Sequence, residues 1–188
     1  ALALFYGGIQ YKQSRDRSHK VAEHLRRGNE ILAAARKISS AANDLRSQAF
    51  AAFEGRKKEE GESLWSQTLK KAGETEVLFG QASQAMEAAL TIDPSRDDVR
   101  AMLADALFEG ALAAERDRHT SRQNDLVQRM ALYDVRGERQ ARWLAPARLT
   151  IDSAPAGAQV AIQQYLDGDQ KRRTLGRSQE LGRTPLTA

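Results

Sequence analysis

Apolar residues recur at steps of three and four through most of the first 133 positions, the period of helices that bury one face. Between Lys12 and Glu54, Val21, Leu25, Ile31, Leu32, Ala35, Ile38, Ala42, Leu45, Ala49 and Phe53 keep this spacing and predict one long amphipathic helix. Leu64, Trp65, Leu69, Ala72, Phe79, Ala82, Met86 and Ala89 predict a second. The charged cluster from Gly55 to Gly61 between them reads as a turn bounded by glycines, and so short a connection makes the two helices antiparallel. At about 1.5 Å per residue the product is a long hairpin.

The second helix is expected to stop at Asp93, because Pro94 lacks an amide hydrogen and disfavours helical geometry in the residue before it. A third helix is expected from Ser95 to about Arg118. Ser95 followed by Asp98 approximates a capping box, and Asp97 and Asp98 put negative charge on the first turn. The pattern weakens over His119–Asn124, resumes at Leu126, Met130 and Tyr133 as a short fourth helix, and meets a stop signal at Gly137. Ala82, Ala85 and Ala89, the break at Pro94, and Leu103, Ala106 and Leu107 resemble one unit of a tetratricopeptide-type repeat. One unit is too few to stack alone, so neighbouring helices must supply the partners.

After Pro146 the period changes to two. Leu149–Asp152 alternates as a strand, Pro155-Ala156-Gly157 turns, and Val160-Ala161-Ile162 continues as a second strand. Ser153, Pro155, Gly157, Ala158 and Val160, then Gly182, Thr184, Pro185 and Leu186, resemble the PEGA module, a small β-fold found beside bacterial kinases and envelope proteins. Ala156 stands where that module has its glutamate. Gln163 to Leu181 reads as an insertion, and the sequence ends before the module's later strands, so an incomplete sheet with an exposed edge is expected. The Trp143-Leu144-Ala145-Pro146 run is expected to link the two parts, with the tryptophan plugging their junction.

The fold class is therefore mainly α, a long antiparallel hairpin plus repeat-like helices, followed by a small, truncated β module. The divisions fall at 1–11, 12–136, 137–147 (a linker) and 148–188. The first stretch, ALALFYGGIQY, is apolar, uncharged and shorter than the roughly 20 residues that span a bilayer. Beginning at Ala, it reads as the last part of a transmembrane helix within a longer protein. Lys12, Arg15, Arg17 and Lys20 behind it place that flank in the cytoplasm by the positive-inside rule.

Composition changes this picture little. Hydrophobic residues make up 41% of the 188, enough for a core, but only 6% are aromatic, which favours closely spaced helices. The 29 basic and 25 acidic residues are well mixed and leave a net charge of +4, too diffuse for a dedicated nucleic-acid binder. With no cysteine, a disulfide framework and a cysteine nucleophile are excluded.

The chemistry-bearing residues form no site on paper. The spaced glycines of Gly176–Gly182 lack a following Lys-Ser or Lys-Thr and read as a loop. His19, His24 and His119 lack metal-ligand spacing and read as surface residues. Glu59, Glu60 and Glu62 sit among lysines at the expected hairpin tip, where water keeps carboxylates ordinary. Ser153 lacks a nearby histidine and reads as a turn residue. Lys171, Arg172 and Arg173 form the best basic patch for an anion, with a solvated loop as the blander reading. No catalytic, cofactor-binding or metal-binding residue is assigned.

The whole order resembles the region downstream of the kinase domain in membrane-associated bacterial serine/threonine kinases of the myxobacterial kind. In that family a formylglycine-generating-enzyme-like domain often follows. The resemblance implies a non-catalytic sensing or protein-interaction segment, partnered by another protein or by self-association through its helical surfaces, with membrane attachment at the N-terminus. It places the soluble part outside the cytoplasm, against the basic flank. An envelope adaptor without a kinase, and then a nucleic-acid-binding helical protein, are the alternative expectations.

Overall fold

The computed structural model describes residues 2–167 and 173–187, with side chains for 15–166 and 174–187. It is mainly helical with a small antiparallel β module, and it divides into two compact units, Ala1–Trp143 and Leu144–Ala188. The first contains α1 (Leu2–Glu54), α2 (Lys58–Ile92), α3 (Asp97–Arg116), α4 (Thr120–Tyr133) and α5 (Glu138–Trp143). The second contains β1 (Thr150–Ile151), β2 (Gln159–Asp167), β3 (Arg173–Arg183) and β4 (Leu186–Thr187).

α1 and α2 form the expected antiparallel hairpin; Val21, Ala35, Ala42, Ala49, Ala82 and Ala89 of the apolar pattern lie in its seam, joined there by glycines and threonines. Val21, Gly28, Ala35, Ala42 and Ala49 on α1, and Gly61, Thr68, Thr75, Ala82 and Ala89 on α2, are each seven apart and all buried. A period of seven keeps one face toward a partner helix, and small side chains let the backbones approach. A Cβ built on Gly28 would lie 3.2 Å from Met86 Cγ, and one on Gly61 would strike the Phe53 ring at 2.5 Å. Thr68, Thr75 and Ser83 are tolerated inside because each hydroxyl donates to the carbonyl four residues back, at 2.8–2.9 Å.

Several expected boundaries move. α1 is continuous from Leu2 through Lys12, so residues 2–11 belong to the same helix as the hairpin arm. No helix among the described residues is long and apolar enough to cross a membrane. The hairpin turn is only residues 55–57; Gly61, Glu59, Glu60 and Glu62 lie in α2. Lys57 N donates to Ala52 O and Arg56 N to Phe53 O, a Schellman closure with Arg56 in the left-handed region at φ 58°. The same closure ends α3, with His119 N bonded to Ala114 O and Arg118 at φ 59°.

α2 ends at Ile92, as Pro94 requires, but the Ser95–Asp98 capping box does not form. Ser95 instead donates its amide (3.1 Å) and hydroxyl (2.6 Å) to Asp93 Oδ1, while Asp98 is clamped by Arg96 at 2.6 and 2.7 Å. The acceptor two residues back is nearer than an amide three ahead, and it wins. Residues 120–124, where periodicity weakened, are the first turn of α4.

Two further expectations are corrected. Residues 138–143, expected within a linker, form α5, and Trp143 packs edge-on against Phe108 of α3, ring centroids 6.3 Å apart. The tryptophan thus packs against the helical core. Asp134 anchors α5 by accepting the Arg139 and Gln140 amides at 2.8 and 2.9 Å. In the second unit, the expected insertion 163–181 extends a long hairpin: β2 pairs with β3 from Gln159–Arg183 to Asp167–Arg173, and β1 pairs with β4. Gly176 and Gly182 therefore lie in a strand, not a loop.

Candidate docking face on the helical hairpin

α3 packs on α2 at Phe79, within a buried or half-buried stripe of α2 at positions 79, 83, 86 and 90. Phe79 lies against Gly110, Ser83 and Met86 are buried, and Leu90 packs on the core. The spacing four, three, four is a heptad seam. Followed toward the hairpin turn at the same spacing, the seam continues through Glu76, Ala72, Leu69, Trp65, Glu62 and Lys58. α3 stops short of it: Ala113, Ala114 and Asp117, at its C-terminal end, close a small recess with Ala72 and Glu76.

Beyond that point the seam is bare. Leu69 is 55% exposed and Trp65 is half-buried, with its ring 5.8 Å from that of Phe50, itself 52% exposed. Phe50 stands one turn past Arg46, whose guanidinium pairs with Asp117, the residue that caps the C-terminus of α3, so it belongs to the side of α1 that the end of α3 faces. Phe50, Trp65 and Leu69 thus form an apolar ledge in line with the path of α3. Scattered exposed apolar residues need no explanation, whereas three grouped on one ledge mark an interaction surface.

Elsewhere on the helical unit, charged side chains are paired across helices. Arg36 donates two bonds to Glu109, at 2.6 and 2.8 Å, and that carboxylate raises the guanidinium's pKa. Arg129 pairs with Glu87 at 2.7 Å. Arg139, largely buried, bonds Asp105 at 2.8 Å and Asp134 at 3.4 Å; Asp105 is the larger cause of its raised pKa. Glu76 lies 3.7 Å from His119 and 3.6 Å from Arg122 Nε, a buried nitrogen without a hydrogen-bond partner. No group of three or more metal-ligating side chains occurs among the described residues.

The repeat-packing residues Ala82, Ala89, Leu103, Ala106 and Leu107 are buried in one core, Ala85 is buried beside it, and Pro94 is exposed at the turn between helices. His19 and His119 are exposed and His24 half-buried. Lys171 and Arg172 lie outside the described residues, as does the side chain of Arg173. The ledge was missed in sequence because Trp65 and Leu69 were counted among core positions. Their offset by one and four from the buried Gly61, Thr68 and Thr75 was the available signal.

In the second unit the residues read as PEGA-like converge on Thr184, the buried centre of its turns. Its hydroxyl accepts the amides of Gly157 (3.1 Å) and Ala158 (3.0 Å) and meets the Ser153 hydroxyl, which donates to Pro155 O at 2.8 Å. Ser153 is thereby held as a turn residue. Pro155 and Ala158 are exposed, Val160 and Leu186 half-buried, and Gly182 takes φ 126°.

No protein-family model matches the chain, and no curated protein or solved structure matches it.

Proposed function

We propose that this chain is a non-catalytic protein-interaction segment of a membrane-associated bacterial serine/threonine kinase, with Phe50, Trp65 and Leu69 as its docking ledge. The observation that carries the interaction reading is the bare end of the α2 seam: one stripe, buried or half-buried over Phe79–Leu90, stays open from Leu69 to Lys58, about three turns. The kinase setting rests on the order of repeat-like helices and PEGA-like turn residues along the sequence. A rigid hairpin suits such a role, because a partner seated at one end shifts the whole arm as a body.

The test is Leu69→Lys in the full-length protein that contains this segment. An exposed side chain is replaced, so stability should change by no more than about 0.5 kcal/mol. Partner association and kinase activity should both fall. Unchanged association and activity in a folded variant would remove this reading.

A further inference from the structure

We propose that β2 is an association edge, to which β2 of a second copy of this chain adds antiparallel about a two-fold axis at Gln163. β2 and β3 make a two-stranded sheet on which Ile162, Tyr165, Leu166 and Leu175 are all exposed. A hairpin of two strands is marginal in water and becomes stable when further strands share an apolar face with it. The surface lies in the second unit and is separate from the helical ledge.

The two edges of the hairpin are unlike. From Val160 to Ala161 the cross-strand partner moves from Gly182 to Glu180, and from Gln163 to Tyr165 it moves from Ser178 to Leu175. Each irregularity is therefore an extra residue on β3, a bulge. Arg177, Glu180 and Arg183 are exposed on the same strand. Bulges and charges are the means by which natural sheets blunt an edge. β2 has neither: residues 159–166 carry no charge, no glycine and no proline, and no extra residue interrupts them. Among the described residues, 160–166 make no backbone hydrogen bond outside the ladder with β3. A regular, uncharged strand rich in β-formers is one that another strand can join.

The pattern of β2 fits a copy of itself. Opposite residues of an antiparallel pair share a face, so a two-fold axis normal to the sheet must pass at a residue, and Gln163 is the midpoint of Gln159–Asp167. The whole strand then pairs. Val160 stands opposite Leu166 of the second copy, Ala161 opposite Tyr165, and Ile162 opposite Gln164 with the second Ile162 on the diagonal. Val160, Ile162 and Leu166 of both copies thereby line one face of a four-stranded sheet. On the other face each Tyr165 ring lies beside a small Ala161, and Gln163 meets its own copy without charge.

The experiment uses the 188-residue chain, which has no native cysteine. Sedimentation equilibrium should show a dimer. Gln163 and Ser178 are opposite each other in the hairpin, so cysteines at these positions compare its two edges directly. In the four-stranded sheet the two copies of residue 163 are one strand spacing apart, about 5 Å, and those of residue 178 three spacings, about 14 Å. Gln163→Cys should therefore crosslink through a bifunctional thiol reagent of short span, and Ser178→Cys should not. Gln163→Lys sets like charges opposite each other at the axis and should weaken the dimer about two- to fivefold, as should Gln163→Glu. An equal mixture of those two variants should associate again. Circular dichroism confirms that each variant is folded. A monomer at every concentration, equal crosslinking at 163 and 178, or no recovery in the mixture overturns β2 as the edge that joins two copies.

Discussion

Gly61 lies directly beneath the ring of Phe53, so closely that a Cβ on it would come within 2.5 Å of the ring edge. The hairpin turn needs no glycine there; the approach of the two helices does. Gly61→Ala should therefore destabilise the helical unit by about 1–3 kcal/mol despite alanine's higher helix propensity. Urea denaturation measures it. Adding Phe53→Leu should recover part of the loss, and an unaltered midpoint in Gly61→Ala would show that the helices are not pressed together at this point.

Arg56 and Arg118 end α1 and α3 in the left-handed region, where a side chain costs about 1–2 kcal/mol. Glycine removes that cost but adds freedom to the unfolded chain. Arg118→Gly and Arg56→Gly are each expected to raise stability by about 0.5–1 kcal/mol. Thermal melts of the two single variants check this, and a lowered melting temperature would contradict the assigned closures.

The Thr184 hydroxyl accepts the Ala158 amide and is a second acceptor for that of Gly157. Thr184→Val keeps the shape and removes the oxygen, at a cost of about 0.5–1.5 kcal/mol for the hydrogen bonds lost. The loss should be confined to the second unit. Amide exchange should accelerate at Ala158 and stay unchanged at Leu103 and Leu107.

Hydrogen bonds from the Ser95 hydroxyl and amide hold the Asp93 carboxyl below its usual range. A depressed native pKa means that the contribution is full above the ordinary aspartate value and is lost as pH falls through the native one. The window lies below about pH 4. Ser95→Ala should raise the Asp93 pKa toward the ordinary value, read from carboxyl-carbon chemical shifts; an unmoved titration would contradict the contact.

Periodicity was enough to see the helices, the antiparallel hairpin and the change to strands after Pro146. It was not enough to orient the hairpin. Leu69 and Thr68 are neighbours, and hydropathy puts the leucine inside. The structure buries Thr68 because its hydroxyl is satisfied by Leu64 O and its small volume fits the close seam. Gly28 and Gly61 were likewise invisible, since a glycine selected for close approach looks like a turn residue. The residues 163–181 lacked the β-branched density of strands, and their pairing is carried by backbone bonds that composition does not reveal. At Thr184 the residue was legible as a motif position, but the three groups that meet it come from 26 to 31 residues earlier.

The most direct measurement of the docking ledge is the reactivity of one introduced thiol. In a full-length protein cleared of other cysteines, Leu69→Cys and Gln67→Cys would be labelled separately in intact cells with a permeant thiol reagent and again in the dilute isolated chain. The account predicts slow labelling at 69 in cells, fast labelling at 69 in the dilute chain, and fast labelling at 67 in both. Equal, fast labelling at 69 and 67 in the native protein would show the ledge uncovered and contradict it.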